Sequence, residues 1–429
     1  MRTIFRNAHV CDPSQGIDQV ADVVVDEGKV LAIVEDSTPY DVGSCEVIGC
    51  SGLVLTPGLI DLHVHLREPG YEYKEDVRSG TEAAVAGGFS AVCCMPNTEP
   101  PLDEPSVIRG LLKRAEEVGV ARVYPIAAIT RGLQPEGLTE MAALKEAGAV
   151  AVTDDAYPLQ SAEVLRRGME YAAQLGLTVM THCEDKSLTR DACMNEGLTA
   201  TIMGLRGMPS VAEEVQVARN CLISLYTGCR LHILHVSTAG AVQIIRWAKD
   251  KGAPVTAETC PHYFALTDEA CLGYHTNAKM NPPLRTQSDC DAILEGLLDG
   301  TIDAIATDHA PHASHEKAQE FALAPFGIVG LETAFALSYT ELVSTGKMSL
   351  SQLVEKMSCQ PAKVLGLPGG TLAPGSPADI ALFDLNRRWT VRASEFRSKS
   401  RNTPFEGWEL QGKPVLTMVA GKVVYHERW

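Results

Sequence analysis

No apolar stretch in this sequence reaches the ~20 residues that a membrane-spanning helix needs. The opening residues Met1-Arg2-Thr3-Ile4-Phe5-Arg6-Asn7-Ala8-His9-Val10 carry no hydrophobic region of the signal-peptide kind, so a cytoplasmic protein is expected. Runs rich in Lys and Arg are missing too, and the formal net charge is -17. That argues against nucleic acid or an anionic membrane as partner and leaves a small molecule as the expected ligand. It also denies an anionic substrate any long-range attraction, so positive charge close to the site would have to draw it in. The 13 cysteines form no Cys-x-x-Cys pair and their number is odd, which fits small buried hydrophobes in a reducing compartment. Cys93 and Cys94 adjoin in an apolar strand, where their side chains point opposite ways, and Cys183 beside His182 is better read as filler than as a ligand. Tandem repeats and low-complexity segments are absent.

What is present is a chain of 429 residues, 45 % hydrophobic, long enough for one large domain and a smaller one. Residues 1–52 read as short strands and turns, with a hairpin signal at Asp26-Glu27-Gly28-Lys29. Asp379 to Leu385 and Val415 to Val424 also read as strands, after a linker marked by Gly369, Gly370, Pro374, Gly375 and Pro377. A small β domain formed from both termini (residues 1–52 plus 366–429) is expected, with residues 53–365 inserted between. That middle part alternates strand and helix. Its apolar runs are Leu59 to Leu66, Ser90 to Met95, Arg122 to Ile129, Ala149 to Thr153, Thr178 to Thr181, Leu231 to Val236, Val255 to Thr259 and Ile302 to Thr307. Helical spacing separates them, as in Val107, Ile108, Leu111, Leu112, Ala115 and Val118, or Val211, Val215, Ala218, Leu222 and Leu225. Eight βα alternations with near-continuous apolar strands predict an α/β fold, a (β/α)₈ TIM-like barrel.

The strongest chemical signal lies at the strand exits, where barrel enzymes keep their active sites. In the first strand, residues two apart share a face, so Asp61, His63, His65 and Arg67 line up. Unpaired polar groups on a buried face cost several kcal/mol, whereas alternate imidazoles can hold one metal ion. A lone His-x-His is more often a half-exposed pair on an edge strand. Here the other exits carry Asn97, Asp154-Asp155, His182-Cys183-Glu184, His235, His262 and Asp308-His309-Ala310-Pro311-His312, which composition does not explain. Four histidines (63, 65, 182, 235) and two aspartates (155, 308) suffice for two metal ions bridged by a carboxylate, and N/O ligands without thiolate suit Zn²⁺. Only one of the adjacent Asp154 and Asp155 can point inward. His262 reads as a hydrogen-bonded structural histidine, His232 as packed within its strand, and Asn97 could serve only a Pro-Asn turn. His9, His275 and His426 have no motif around them.

Asp61-Leu62-His63-Val64-His65-Leu66-Arg67-Glu68-Pro69-Gly70 resembles the first signature of the dihydroorotases of the amidohydrolase superfamily. Ala306-Thr307-Asp308-His309-Ala310-Pro311-His312, followed by Lys317, resembles the second. Met280-Asn281-Pro282-Pro283-Leu284-Arg285, Ala324-Pro325-Phe326-Gly327 and Gly375-Ser376-Pro377-Ala378-Asp379-Ile380 are similar to further family motifs. The resemblance implies the reversible cyclisation of N-carbamoyl-L-aspartate to L-dihydroorotate in pyrimidine synthesis, with a zinc-bound hydroxide attacking the ring amide. It implies His63, His65, His182, His235 and Asp308 as metal ligands, Asp155 with hydroxide as the bridge between two Zn²⁺ per subunit, and Asp308 as general acid and base. Arg67, Asn97 and His312 would clamp the substrate carboxylate, with His65 beside them. Asn281 and the Phe326-Gly327 backbone would hold the amide edge. Hydantoinases and many other relatives bridge their metals with a carboxylated lysine on the fourth strand, but Ala147 to Pro158 contains no Lys. The alternatives are another cyclic amidase (hydantoinase or allantoinase) and a non-catalytic partner subunit of aspartate transcarbamoylase. A homodimer and an association with aspartate transcarbamoylase are the partners that the resemblance brings into consideration, and the segment from His309 to Gly330 is a candidate for closing over substrate.

Overall fold

Near-continuous apolar segments form strands that can be buried on both faces, and the computed structural model, which describes residues 2–35, 45–135 and 137–427, shows eight of them in one parallel sheet. They are Leu59–Val64, Phe89–Cys94, Arg122–Ala127, Ala151–Thr153, Thr178–Thr181, Leu231–Ile233, Val255–Thr259 and Ala304–Ile305. Each pairs with its neighbour in sequence. The ends of the sheet meet through a parallel bridge between Val64 and His309, where the His65 N–H donates to the His309 carbonyl at 2.9 Å. The expected TIM-like barrel is therefore the observed fold. All eight expected strands are present, but several stop short at their C-terminal ends, because residues such as His65 to Arg67 leave the ladder to face the barrel mouth.

Asp61 seals the junction of first and last strands. Its carboxylate accepts hydrogen bonds from the His63 and Thr307 N–H groups, both at 3.1 Å, and from the Thr307 hydroxyl at 2.6 Å. Burial pushes its pKa up to about 7, against those three donors. Although it shares a strand face with His63 and His65, its partners are at the seam.

The helix Val211–Thr227 forms where the spacing predicts, but its apolar stripe is turned outward. Val211, Val215, Leu222 and Leu225 are exposed, whereas Ala212, Glu213, Gln216, Val217, Asn220, Cys221 and Ser224 face the barrel. Part of the reason lies in the residues beneath: Glu213 accepts the Ser237 N–H at 2.9 Å and is paired with buried Arg285 at 3.5 Å, so the inner face combines a polar network with the apolar packing of Val217 and Cys221.

A second sheet draws strands from both ends of the chain: Arg2–Asp12, Ile17–Asp26, Lys29–Glu35 and Cys45–Gly49 from one, Ile380–Thr390, Glu409–Val419 and Lys422–His426 from the other. Val54–Pro57 also belongs to it, pairing with residues 380–383, so the sheet extends past the division expected after residue 52. The two-residue turn Glu27-Gly28 has φ of 49° and 76°, the left-handed pair that a tight hairpin requires. The sheet packs on the barrel through Phe383, which stacks on Phe335 with ring centroids 3.8 Å apart. Gly88, at φ 89°, lets this ring in: a Cβ there would lie 2.9 Å from it. Phe383→Ala should lower stability by about 3–5 kcal/mol, measured as a shift in the denaturant midpoint.

Candidate metal centre and active site

Strand exits deliver the ionisable residues to one place. A cavity of about 540 Å³ opens at the C-terminal ends of the barrel strands, lined by His65, Arg67, Asn97, Asp155, His182, His235, Asn281, Asp308, His312, Phe326 and Gly327, and fully buried His63 touches two of these, Asp155 and Asp308. Every residue that the sequence singled out for the site is thus gathered here. His63 Nε2 and His65 Nε2 approach Asp308 Oδ1 at 3.4 and 3.2 Å, and Asp155 Oδ2 at 3.5 Å each. Asp155 Oδ1 lies 3.6 Å from His235 Nε2 and 3.8 Å from His182 Nδ1. Asp155 therefore faces all four imidazoles. Asp154 points the other way, where its carboxylate accepts the Ile129 and Thr130 N–H groups at 2.8 and 3.1 Å and the Thr130 hydroxyl at 2.5 Å.

Backbone geometry helps to aim these groups. Arg67, His235 and Asp308 have φ of 61°, 34° and 47°. Non-glycine residues in this region store strain that persists only where the surroundings over-determine it, and such positions cluster at functional sites.

Two groups of side chains are spaced to hold a divalent metal ion: His63, Asp155 and His235, and His63, His65 and Asp308. The residues fit such an ion chemically. His63 Nε2 is buried without any hydrogen-bond partner among the described residues, although its Nδ1 is satisfied by Glu258 Oε1 at 3.0 Å. An imidazole fixed by a carboxylate on one nitrogen and open on the other is the usual arrangement of a metal-binding histidine. Burial opposes ionisation of Asp308, but nearby His63 and the bond from His65 outweigh it and hold the pKa well below the carboxylate range.

Around this centre lies a polar layer that the sequence reading left without roles. Glu258 also meets His232 Nε2 at 3.1 Å, and His232 Nδ1 meets the Thr256 hydroxyl at 2.8 Å, so His232 is packed and hydrogen-bonded. Burial would raise the Glu258 pKa, yet its bonds to His232 and His63 bring it down to about 2. Glu184 joins His182 Nε2 at 3.1 Å to Asn281 Nδ2 at 2.9 Å and also accepts from Thr189. A Glu on the inward face of an apolar strand was the available signal for Glu258. Asn97 does more than serve a turn: its Oδ1 accepts from His65 Nδ1 at 2.9 Å. His312 Nε2 donates to the Phe326 carbonyl at 2.8 Å and lies 3.4 Å from the Arg67 guanidinium. His262, expected to be hydrogen-bonded, instead packs on Tyr263 with ring centroids 4.2 Å apart and leaves Nε2 without a partner. Burial pushes its pKa down to about 3.

Removing the carboxylate that orients His63 should loosen the centre without dismantling it. Glu258→Gln is expected to weaken divalent-metal affinity by about 10–100-fold, measured by competition with a chelator.

Comparison with known proteins agrees with this geometry. Residues 52–241 match the family described as dihydro-orotase-like, and residues 281–425 match the amidohydrolase family. A curated relative named dihydroorotase from Geobacter metallireducens is 52 % identical over 425 residues, covering 99 % of this chain and 100 % of its own. Another, from Syntrophus aciditrophicus, is 50 % identical over 429 residues and 100 % of both chains. Among solved structures, an L-hydantoinase (dihydropyrimidinase) from Arthrobacter aurescens matches with a TM-score of 0.90 at 28 % identity, covering 100 % of this chain and 96 % of that one. A dihydropyrimidinase from Brevibacillus agri matches at 0.85 with 26 % identity, over 99 % of this chain and 95 % of its own. With about half of its residues shared along its whole length, the chain belongs to the dihydroorotase family of the amidohydrolase superfamily.

Proposed function

We infer that this chain catalyses the reversible closure of N-carbamoyl-L-aspartate to L-dihydroorotate and water. The observation that carries the reading is the meeting, in one cavity, of a metal-capable cluster with Arg67 and His312. The cluster can activate an amide carbonyl and Arg67 can grip a carboxylate. Arg67, Lys186 and Arg190 all line it, which supplies close-range positive charge in a protein whose net charge is -17.

His63, His65, His182, His235, Asp155 and Asp308 would hold two Zn²⁺ ions, with Asp155 between them. Bound there, zinc lowers the pKa of water and polarises a carbonyl. The chain's own groups do the rest. Arg67 grips the α-carboxylate through charge-assisted hydrogen bonds, and Asn97, its Oδ1 already committed to His65, offers its Nδ2 to the same carboxylate. Asn281 Nδ2 is engaged by Glu184, which leaves Oδ1 to accept a ring N–H. The Phe326-Gly327 backbone lies along the amide edge. In ring opening, Asp308 takes the proton of the attacking water and passes it to the departing ring nitrogen as the C–N bond breaks. In ring closure the same carboxyl returns that proton, as microscopic reversibility demands.

With this activity go a place in pyrimidine biosynthesis and a cytoplasmic location. The free cysteines, nearly all of them buried, support a reducing compartment. A homodimer or an association with aspartate transcarbamoylase belongs to the same reading. Hydantoin hydrolysis is the second reading, favoured by the close match to hydantoinase structures. Against it stands the absence of any lysine between Ala147 and Pro158.

Ring opening of L-dihydroorotate by purified protein, with metal content determined on the same sample, tests the proposal. Faster turnover of hydantoin or allantoin would overturn the substrate assignment, and a metal-poor, inactive protein would favour the non-catalytic partner role. Asp308→Ala should lower kcat by about 100- to 10,000-fold while most of the metal is kept. Arg67→Met should raise KM by about 10–100-fold, the equivalent of a lost charge-assisted hydrogen bond, with a smaller change in kcat.

A further inference from the structure

The backbone that faces the cavity at Ala310–His312 and Phe326–Gly327 is held by side chains that the reaction does not use. Asn402 lies between the strands Ile380–Thr390 and Glu409–Val419 and is 3 % exposed. Its Oδ1 accepts the His312 N–H at 3.2 Å, and its Nδ2 donates to the carbonyls of Ala310 and Gly327, each at 3.0 Å. The Asn402 carbonyl accepts the Val329 N–H at 3.0 Å. One residue thus ties both arms of the loop between His309 and Gly330. Lys317 grips the second arm from another side, with Nζ donating to the carbonyls of Pro325 at 2.9 Å, Gly327 at 3.0 Å and Lys279 at 3.3 Å. Gly327, at φ 132°, is pressed against Ala310: a Cβ there would lie 2.7 Å from the Ala310 methyl. The arms cannot slide past each other, and an amide with both its donor and acceptor ends committed fixes them in register.

We propose that Asn402 is a positioning residue for the reaction, holding the His312 backbone, which bears on the substrate carboxylate, in register with the neighbouring Gly327 backbone, which bears on the amide edge, with Lys317 as a second fastening on the same carbonyl. This rests on the reading of the cavity given above. An apolar residue would fill the Asn402 site but leave the Ala310 carbonyl and the His312 N–H without partners in a buried place, a cost that backbone movement relieves. Substrate would then have to order the loop as it binds, so affinity suffers more than chemistry.

The test is steady-state kinetics in both directions on zinc-loaded Asn402→Ala, Asn402→Asp and Lys317→Met, with hydrogen exchange of the 324–330 backbone measured beside them. In each variant KM should rise about five- to tenfold in both directions, the equivalent of one or two lost neutral hydrogen bonds. Turnover number should stay within about threefold, metal content should not change, and exchange should quicken in the 324–330 peptide. Asn402→Asp keeps the acceptor but sets a carboxylate against two carbonyls, so it should be no better than Asn402→Ala. Ser358→Ala, which removes a buried hydroxyl bonded to the Gly58 carbonyl, should lower Tm without moving KM. A lowered Tm with unchanged KM in the Asn402 variants overturns the proposal, as does activity that falls only in step with lost metal. Should Asn402→Ala fail to fold, Lys317→Met decides: a raised KM supports the fastening and an unchanged one overturns it. Exchange needs no turnover, so an inactive wild-type protein would sink the substrate reading while the 324–330 protection still decides on the fastening.

Discussion

Asp155 and Asp308 are carboxylates held out of water, and much of the barrel mouth is built to make that tolerable. Desolvating one such ion costs several kcal/mol unless opposite charge and hydrogen bonds answer it. Four imidazoles lie within 3.2–3.8 Å of the two carboxylates. Three of those imidazoles are answered in turn: Glu258 meets His63, Asn97 meets His65 and Glu184 meets His182, while His235 Nδ1 has no hydrogen-bond partner among the described residues. Glu258 is itself answered by His232, which rests on Thr256. Most of each layer answers polar groups of the one inside it. A partly satisfied buried network is worse than an apolar one, which explains why the chemistry sits on rigid strand ends rather than on free loops.

The same logic ties the second sheet to the site. The chain between its strands Ile380–Thr390 and Glu409–Val419 returns to the barrel mouth, where the Ser398 hydroxyl donates to Glu75 and Glu75 meets His309 Nε2 at 3.3 Å. His309 in turn closes the barrel against His65. The terminal sheet is therefore more than a cover: residues from its connecting segment set the loop that follows the eighth strand. Strained φ values at Arg67, His235 and Asp308 need such over-determination to persist.

Much of this was legible beforehand, for physical reasons. Parallel strands buried on both faces are written as near-continuous apolar runs, so all eight could be located. Side-chain alternation along the first strand put His63 and His65 on one face. The helix Val211–Thr227 shows the limit of that approach: its periodicity marked a helix correctly, but the inward face mixes Val217 and Cys221 with Glu213, Gln216 and Asn220 while Val211, Val215, Leu222 and Leu225 are exposed. Periodicity reports that a stripe exists and is silent on what lies beneath it. Asp154 and Asp155 could not be separated by pattern alone, since what distinguishes them is a hydroxyl and two N–H groups at residues 129 and 130.

The sequence by itself determined the barrel, the strand exits that carry ionisable groups and the family signatures, because these depend on residues a few positions apart. Only the tertiary structure decided which partners satisfy those groups. His63 and Glu258 are 195 residues apart, Asp61 and Thr307 246, and Asn402 and Ala310 92. Most buried polar atoms find a partner within about 3 Å, and no local pattern records which distant residue the fold will bring to that distance.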